Sequence, residues 1–406
     1  SQLLKRLIKL KKKIYFEFFF LIILGVLTSL SLPPNNFLFI NYLTFSLFFV
    51  YIFQKKKLAN SSQKFLYGWF FGFGYFLTSL YWITISLTFD ENFKFLIPIA
   101  LILIPAFLAV FYGAVTYCFF LIDTKKLISN LFLFSLLFGV TEFLRGTILT
   151  GFPWNLIAYS FSNNLEIIQV TSLIGIYAFN ILCISFFTSP AFLILGKNRK
   201  EISTCIFLLL SPIILYMTGS SKIKLFQSLS LIENDYIIRA IGSKIDLDRF
   251  YENADTELVI DELIKISKPN LDIKTLFIWP EGIIPNIDQS ELKQFETLFK
   301  KNFNKNHLLG IGINSFEKKD NENIFYNSFS FYDHEVNLVN TYNKVNLVPF
   351  GEFLPLERIL GKIGLRSLTN NYQSFSSGKN REIIRINKND FDIKILPLIC
   401  YEIIYS

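Results

Sequence analysis

The first 218 residues are dominated by apolar runs close to the length of a bilayer crossing, and no other feature restricts the fold as much. The runs lie at about 14–32, 37–53, 65–89, 95–122, 127–146, 167–195 and 202–218. A helix needs about 20 apolar residues to cross a bilayer. In lipid each backbone polar group must find its partner within the protein, so such runs form helices. Residues 1–220 are therefore read as a polytopic α-helical membrane domain of about seven spans, the second and seventh being the shortest. Composition agrees: of 406 residues 52% are hydrophobic, 47 are Phe, and 18% are charged, too apolar for a soluble chain of this length.

Charge separates the two halves. Residues 1–220 carry 17 Lys/Arg and seven Asp/Glu, whereas 221–406 carry 23 and 25. The basic excess belongs to the membrane half, so it is not a nucleic-acid footprint, which requires a basic patch on a folded domain. Six basic residues precede the first run, and alternate loops hold Lys55, Lys56, Lys57 and Lys64, then Lys125 and Lys126, then Lys197, Arg199 and Lys200. The opposite loops hold Lys94 and Arg145. Lys and Arg collect on the cytoplasmic side. The N-terminus is thus expected in the cytoplasm, and an odd number of spans places residue 219 onward outside it. The basic LLKRLIKLKKK start is not read as a signal peptide, because the following run is too long and lacks a small-residue cleavage site. Glu142 and Arg145 lie three apart near the end of the fifth run, ahead of GFPW at 151–154, and can face one another on a helix. Ionisable groups at this depth are costly and point to a substrate or interface role. The plainer alternative is an interfacial anchor, with Trp154 in the aromatic belt.

Beyond residue 222 short strands alternate with helices, the pattern of an α/β domain over 221–406. Strands are expected at 223–232, 236–241, up to Trp279, 308–313, 324–333, 335–342, 382–387 and 391–399, with helices near 254–267 and 290–304. The 353–380 stretch reads as a long loop or lid, whose Phe353, Leu354, Leu356 and Phe375 face either lipid or the core. Cys118, Cys183 and Cys205 lie within apolar runs, so no disulfide framework is visible. His307 and His334 are isolated from each other and from any Cys pair. Neither a metal site nor a Cys-His dyad is expected.

Three polar residues end or follow apolar strands: Glu281 after LFIWP, Lys344 after VNTYN and Cys400 after LPLI. Strand ends converge on one rim of a sheet. A carboxylate there can take a thiol's proton, the thiolate is a nucleophile, and an ammonium can hold an oxyanion. Each also has a plain reading: Glu281 as a helix cap, Lys344 as solvated, Cys400 as a buried core thiol.

The words WPE, YNKVNLVPFGEFLP and ICYE, in this order, resemble the nitrilase superfamily (carbon-nitrogen hydrolases). Preceded by a membrane half with TEFLRG and GFPWN, the chain is similar to its membrane-embedded branch, the apolipoprotein N-acyltransferases. The resemblance implies an αββα sandwich on the periplasmic side of the bacterial inner membrane, C-terminally incomplete because the family continues past its cysteine and adds an eighth span. It places a general base on Glu281, thiolate and oxyanion stabilisation on Lys344 and the nucleophile on Cys400, with Glu352, Tyr401 and Glu402 in support. It implies a phospholipid acyl donor, a diacylglyceryl-modified apolipoprotein acceptor and no cofactor. A Gln-x-Asn-Ile word usual in the family corresponds to IGSKI at 241–245, and a usual Trp to Phe250 or Tyr251. A membrane-tethered amidase acting on a soluble amide, or an inactive fragment, are the alternatives.

Overall fold

The computed structural model describes residues 2–88, 91–148, 151–229, 235–242, 254–319, 322–355, 361–363, 374–388 and 390–404. Ile245, Phe250, Tyr251, Leu356 and most of the 353–380 loop lie outside these. The chain divides into two compact units, residues 1–230 and 231–405.

The first unit is helical: α1 (Gln2–Ser29), α2 (Ile40–Lys55), α3 (Ser61–Ser79), α4 (Ile97–Leu121), α5 (Leu127–Thr147), α6 (Leu165–Ile168), α7 (Thr171–Thr188), α8 (Ala191–Leu195) and α9 (Arg199–Ser228). Among the described residues four helical stretches are long and apolar enough to cross a membrane, or five if α3 and the bent turn Tyr81–Thr88 count as one. Seven were expected. The difference arises because α2 has only 16 residues, the apolar part of α1 is the short Ile14–Ser29, and the third run bends by 46° after α3. The core is aromatic: Phe48 stacks on Phe71 with centroids 4.1 Å apart, and Phe134 and Phe138 meet edge to face at 4.9 Å. Close helix approach depends on missing side chains. A Cβ at Gly25 of α1 would lie 2.0 Å from Phe71 O of α3, and one at Gly68 of α3 would lie 2.0 Å from Tyr112 O of α4. Small residues serve this purpose in membrane helices, where van der Waals packing drives association.

α9 overruns the expected boundary. Residues 223–228, read as the start of a strand, are its last turns. Lys222, Ile223, Lys224 and Leu225 alternate polar and apolar, but they continue a helix opened by the Asn198–Glu201 capping box. Extending a formed helix fixes one residue per hydrogen bond, whereas a strand needs a partner.

The second unit is built on a mixed five-stranded sheet in the order β1-β2-β3-β6-β7: β1 (Ile237–Ala240), β2 (Thr275–Trp279), β3 (His307–Gly312), β6 (Ser328–Tyr332) and β7 (Leu338–Asn343). β1, β2 and β3 are parallel, and β6 and β7 continue antiparallel. β4 (Ser315–Lys319) pairs with β5 (Glu322–Tyr326), and β8 (Ile384–Lys388) with β9 (Phe391–Ile395). Successive side chains alternate faces. Phe277, Leu309 and Ile311 pack on one face against α10 (Thr256–Ser267) and α11 (Glu296–Asn302). Leu276, Leu308 and Phe331 pack on the other against Ile384, Ile386, Phe391 and Ile393 of β8 and β9. This gives a helix layer, a sheet and a second small sheet among the described residues. The expected strand 324–333 is two strands in different sheets, β5 and β6, broken at Asn327. His307 is buried in β3, with Nε2 2.9 Å from Asn270 O and Nδ1 accepting from Asn304 N–H. Burial holds its pKa below the usual value. It is a satisfied core histidine.

Candidate active site

The strand directions bring one rim of the sheet into use. β2, β3 and β7 run the same way, so Glu281 and Lys344, just past β2 and β7, emerge on the same rim. Asn327, just ahead of the opposed β6, is on that rim too. β3 and β6 separate β2 from β7, a distance of about 14 Å at about 4.8 Å per strand. Gly312, the last residue of β3, helps close the gap. A Cβ there would sit 2.4 Å from Pro280 O and 2.5 Å from Glu281 Cα, so the absent side chain lets the Pro280–Glu281 turn fold over the end of β3. Gly282 carries the turn onward at φ 56°.

The four groups at this rim form one network. Lys344 Nζ donates to Glu352 Oε1 at 2.9 Å and lies 3.5 Å from Glu281 Oε1. Asn327 Nδ2 donates to the same two oxygens, at 2.5 Å to Glu352 and 2.6 Å to Glu281. Glu352 Oε2 accepts the backbone N–H of Val348 at 2.7 Å, closing the 348–352 turn. Lys344 is 1% exposed and its ammonium lies 5.9 Å over the Tyr401 ring. Burial by itself lowers its pKa, but Glu281 and Glu352 outweigh burial and hold the pKa above the usual lysine value. Lys344 is therefore an ammonium. The side chain of Glu281 is 37% exposed, that of Glu352 10%.

Cys400 is exposed, so the reading as a core thiol is set aside. β9 ends at Ile395, and Cys400 opens the single-turn helix Cys400–Ile404 with a φ of 52°. A non-glycine residue in this left-handed region is strained by about 1–3 kcal/mol and persists only where its surroundings enforce it. Partial desolvation and then the Glu281 carboxylate push the thiol's pKa up, while Lys344 and the Tyr401 N–H pull it down. Glu281 and Lys344 thus act on the Cys400 thiol in opposite directions.

Glu402 enforces the turn. It is fully buried. Oε1 accepts the N–H groups of Val345 at 2.8 Å and Asn346 at 3.0 Å, and Oε2 accepts that of Ile399 at 2.9 Å. Tyr342 Oη adds a bond of 3.0 Å to Oε1. One carboxylate therefore ties the segment after Lys344 to the residue before Cys400. Tyr401 Oη donates to Leu347 O at 3.1 Å, adding a second tie. A strap over 375–378 binds the same rim through Phe375 N–H to Glu352 O and Gly378 N–H to Lys344 O, both 2.8 Å.

Of the residues expected here, Glu281, Lys344, Glu352 and Cys400 come together, with Tyr401 and Glu402 beneath. Leu354 is buried and Phe353 half-buried, so Leu354 packs in the core and does not face lipid. Glu142, Arg145 and Trp154 belong to the other unit. Arg145 donates to Glu142 Oε2 through Nε at 2.8 Å, and through Nη1 to Phe152 O at 2.6 Å and Trp154 O at 2.8 Å. Both charged side chains are fully buried, and the pair tethers the 152–154 loop from within the unit. Asn327 was not foreseen. Its trace in the sequence is that it interrupts the alternating stripe Phe325, Phe329, Phe331 with an amide.

Residues 24–188 match the model of the apolipoprotein N-acyltransferase N-terminal domain. The chain is 32% identical to the apolipoprotein N-acyltransferase of Rickettsia prowazekii (strain Madrid E) over 397 residues, covering 95% of this chain and 74% of that protein. The chain belongs to the apolipoprotein N-acyltransferase family. The proteins of the same name from Rhodopseudomonas palustris (29% identity, covering 94% of this chain and 73% of the relative) and Brucella melitensis (31%, 83% and 64%) agree. Several apolar helices followed by a mixed-sheet domain fit a multi-pass bacterial membrane protein of this family.

Proposed function

We propose that this apolipoprotein N-acyltransferase family member moves an acyl chain from a phospholipid, through a thioester on Cys400, to the α-amine of a diacylglyceryl-cysteine on an apolipoprotein. The observation that carries this reading is an exposed cysteine on a strained elbow, coupled to a carboxylate and a buried ammonium. Among the described residues both donors to Glu281 fall on Oε1, and Oε2 is the oxygen that takes the thiol proton. The thiolate attacks the donor ester. Lys344 and the Tyr401 N–H hold the oxyanion, a type of interaction worth about 10²–10³-fold in rate for a well-placed donor. The carbon–oxygen bond breaks, Glu281 returns its proton to the leaving lysophospholipid oxygen, and the thioester remains. The amine then attacks the thioester, the sulfur leaves and regains a proton, and the amide is released. This is two-step covalent catalysis with ping-pong kinetics. Glu352 holds Lys344, and Glu402 holds the elbow; the sequence left these two roles open.

The basic loops support seven crossings with the N-terminus in the cytoplasm and residues 231–405 outside it, in the bacterial inner membrane. The test is trapping of the acyl-enzyme. Membranes holding the chain are incubated with phospholipid carrying a labelled acyl chain, quenched and mapped by mass spectrometry. A hydroxylamine-labile acyl group on Cys400, absent in Cys400→Ser and discharged by a diacylglyceryl-cysteine peptide, is the expected result. Label elsewhere, or none, would sink the reading.

A further inference from the structure

Asn327 stands where two carboxylates converge. Like charges this close ordinarily share a proton, so that one of the pair is neutral. Here each Oε1 receives two donors, one from Lys344 and one from the Asn327 amide. The amide must present its nitrogen, because its oxygen would face carboxylate lone pairs, and its two hydrogens serve the two carboxylates separately. Its backbone is fixed as well: Asn327 O accepts the Lys344 N–H at 2.9 Å. The chain break between β5 and β6 points the residue at the rim, and it is buried. Among the described residues the titratable groups meeting there are Glu281 past β2, Lys344 beyond β7, Glu352 of the 348–352 turn and Cys400 of the 400–404 turn. Glu402 is occupied beneath them by its own donors.

We infer that Asn327 is a positioning residue that lets Glu281 and Glu352 stand side by side beside one ammonium, and so keeps Glu281 free to accept the Cys400 proton. The inference rests on the reading of Glu281 as the base. One ammonium alone would face two carboxylates, and the pair would retain a proton to higher pH. Asn327 touches neither the thiol nor a substrate, and acts through the carboxylates.

The test needs no lipid substrate. The rate of Cys400 alkylation by iodoacetamide is followed against pH in the full chain in membranes, with the adduct mapped at Cys400. Base-assisted alkylation carries an acidic limb set by the base that takes the thiol proton. Asn327→Ser, with one donor for two carboxylates, is expected to move that limb up by about one pH unit while retaining the rate above it. Asn327→Asp, equal in size and lacking the donors, moves it further, and decides if the serine variant does not accumulate. A limb that stays in place, with the rate lowered evenly at all pH values, overturns the inference and leaves a merely structural Asn327. Glu281→Gln, run alongside, separates the two levels. If it abolishes the limb while the Asn327 variants leave it unmoved, Glu281 stands as the base and Asn327's role falls. If it leaves the limb unchanged, the base assignment falls and takes this inference with it.

Discussion

At Cys400 the backbone turns through φ 52°, and what makes this tolerable is a residue two places on. Glu402 accepts three backbone N–H groups from two separate segments. Removing it would leave buried donors unpaired, at about 1–3 kcal/mol each. Glu402→Ala is therefore expected to lower the stability of the second unit by at least about 3 kcal/mol and to collapse the elbow, read as a lower melting temperature and a loss of selective Cys400 alkylation. The thiol itself has a pH signature. Its pKa in the fold is raised, chiefly by desolvation and then by Glu281, above the value of about 8.5 for a free thiol. The folded state holds the proton more tightly than the unfolded chain. Its contribution to stability is thus complete below the unfolded pKa and is lost as pH rises through the folded one. Melting temperature should fall across that alkaline window in the native chain, with the fall reduced in Cys400→Ser.

Elements matter here through where they end. Glu281 and Lys344 follow strands separated by two others, and only the turn over Gly312 and the break between β5 and β6 bring them within reach of one ammonium and one amide. Gly312→Ala would push a methyl into Pro280 O and Glu281 Cα. Overpacking of this kind costs about 1–3 kcal/mol. The expected result is a folded protein whose acyl-enzyme forms at least about tenfold more slowly, since misplacement of a reacting group by about 1 Å can cost more than that; an unchanged rate would show that the turn is not tied to the strand. In the helical unit the comparable device is α5, whose buried Glu142–Arg145 pair reaches the 152–154 carbonyls. An arginine serves because its guanidinium carries enough donors to bind a carboxylate and two carbonyls at once.

For the whole molecule the testable matter is sidedness. In a Cys400→Ser background, a membrane-impermeant maleimide applied to intact cells should label Ser290→Cys, an exposed position in the second unit, and spare Lys57→Cys, an exposed position in a basic loop of the first. The reverse labelling would overturn the orientation drawn from the loop charges, and labelling of both would point to a different number of crossings.

The sequence by itself determined that the first half is a set of apolar helices, because backbone in lipid has no other way to satisfy its polar groups and the apolar runs are visible one by one. It also offered Glu281, Lys344 and Cys400 as candidates, since each stands beside a short run that is read as a strand from its neighbours alone. What only the tertiary structure decided is convergence. Asn327 and Glu281 are 46 residues apart and Glu402 and Val345 are 57 apart, and such meetings depend on strand order and direction, which periodicity does not encode. The helical tail at 223–228 was hidden for a related reason: its first residues alternate as a strand would, but a helix already growing from Asn198 had no need of a partner.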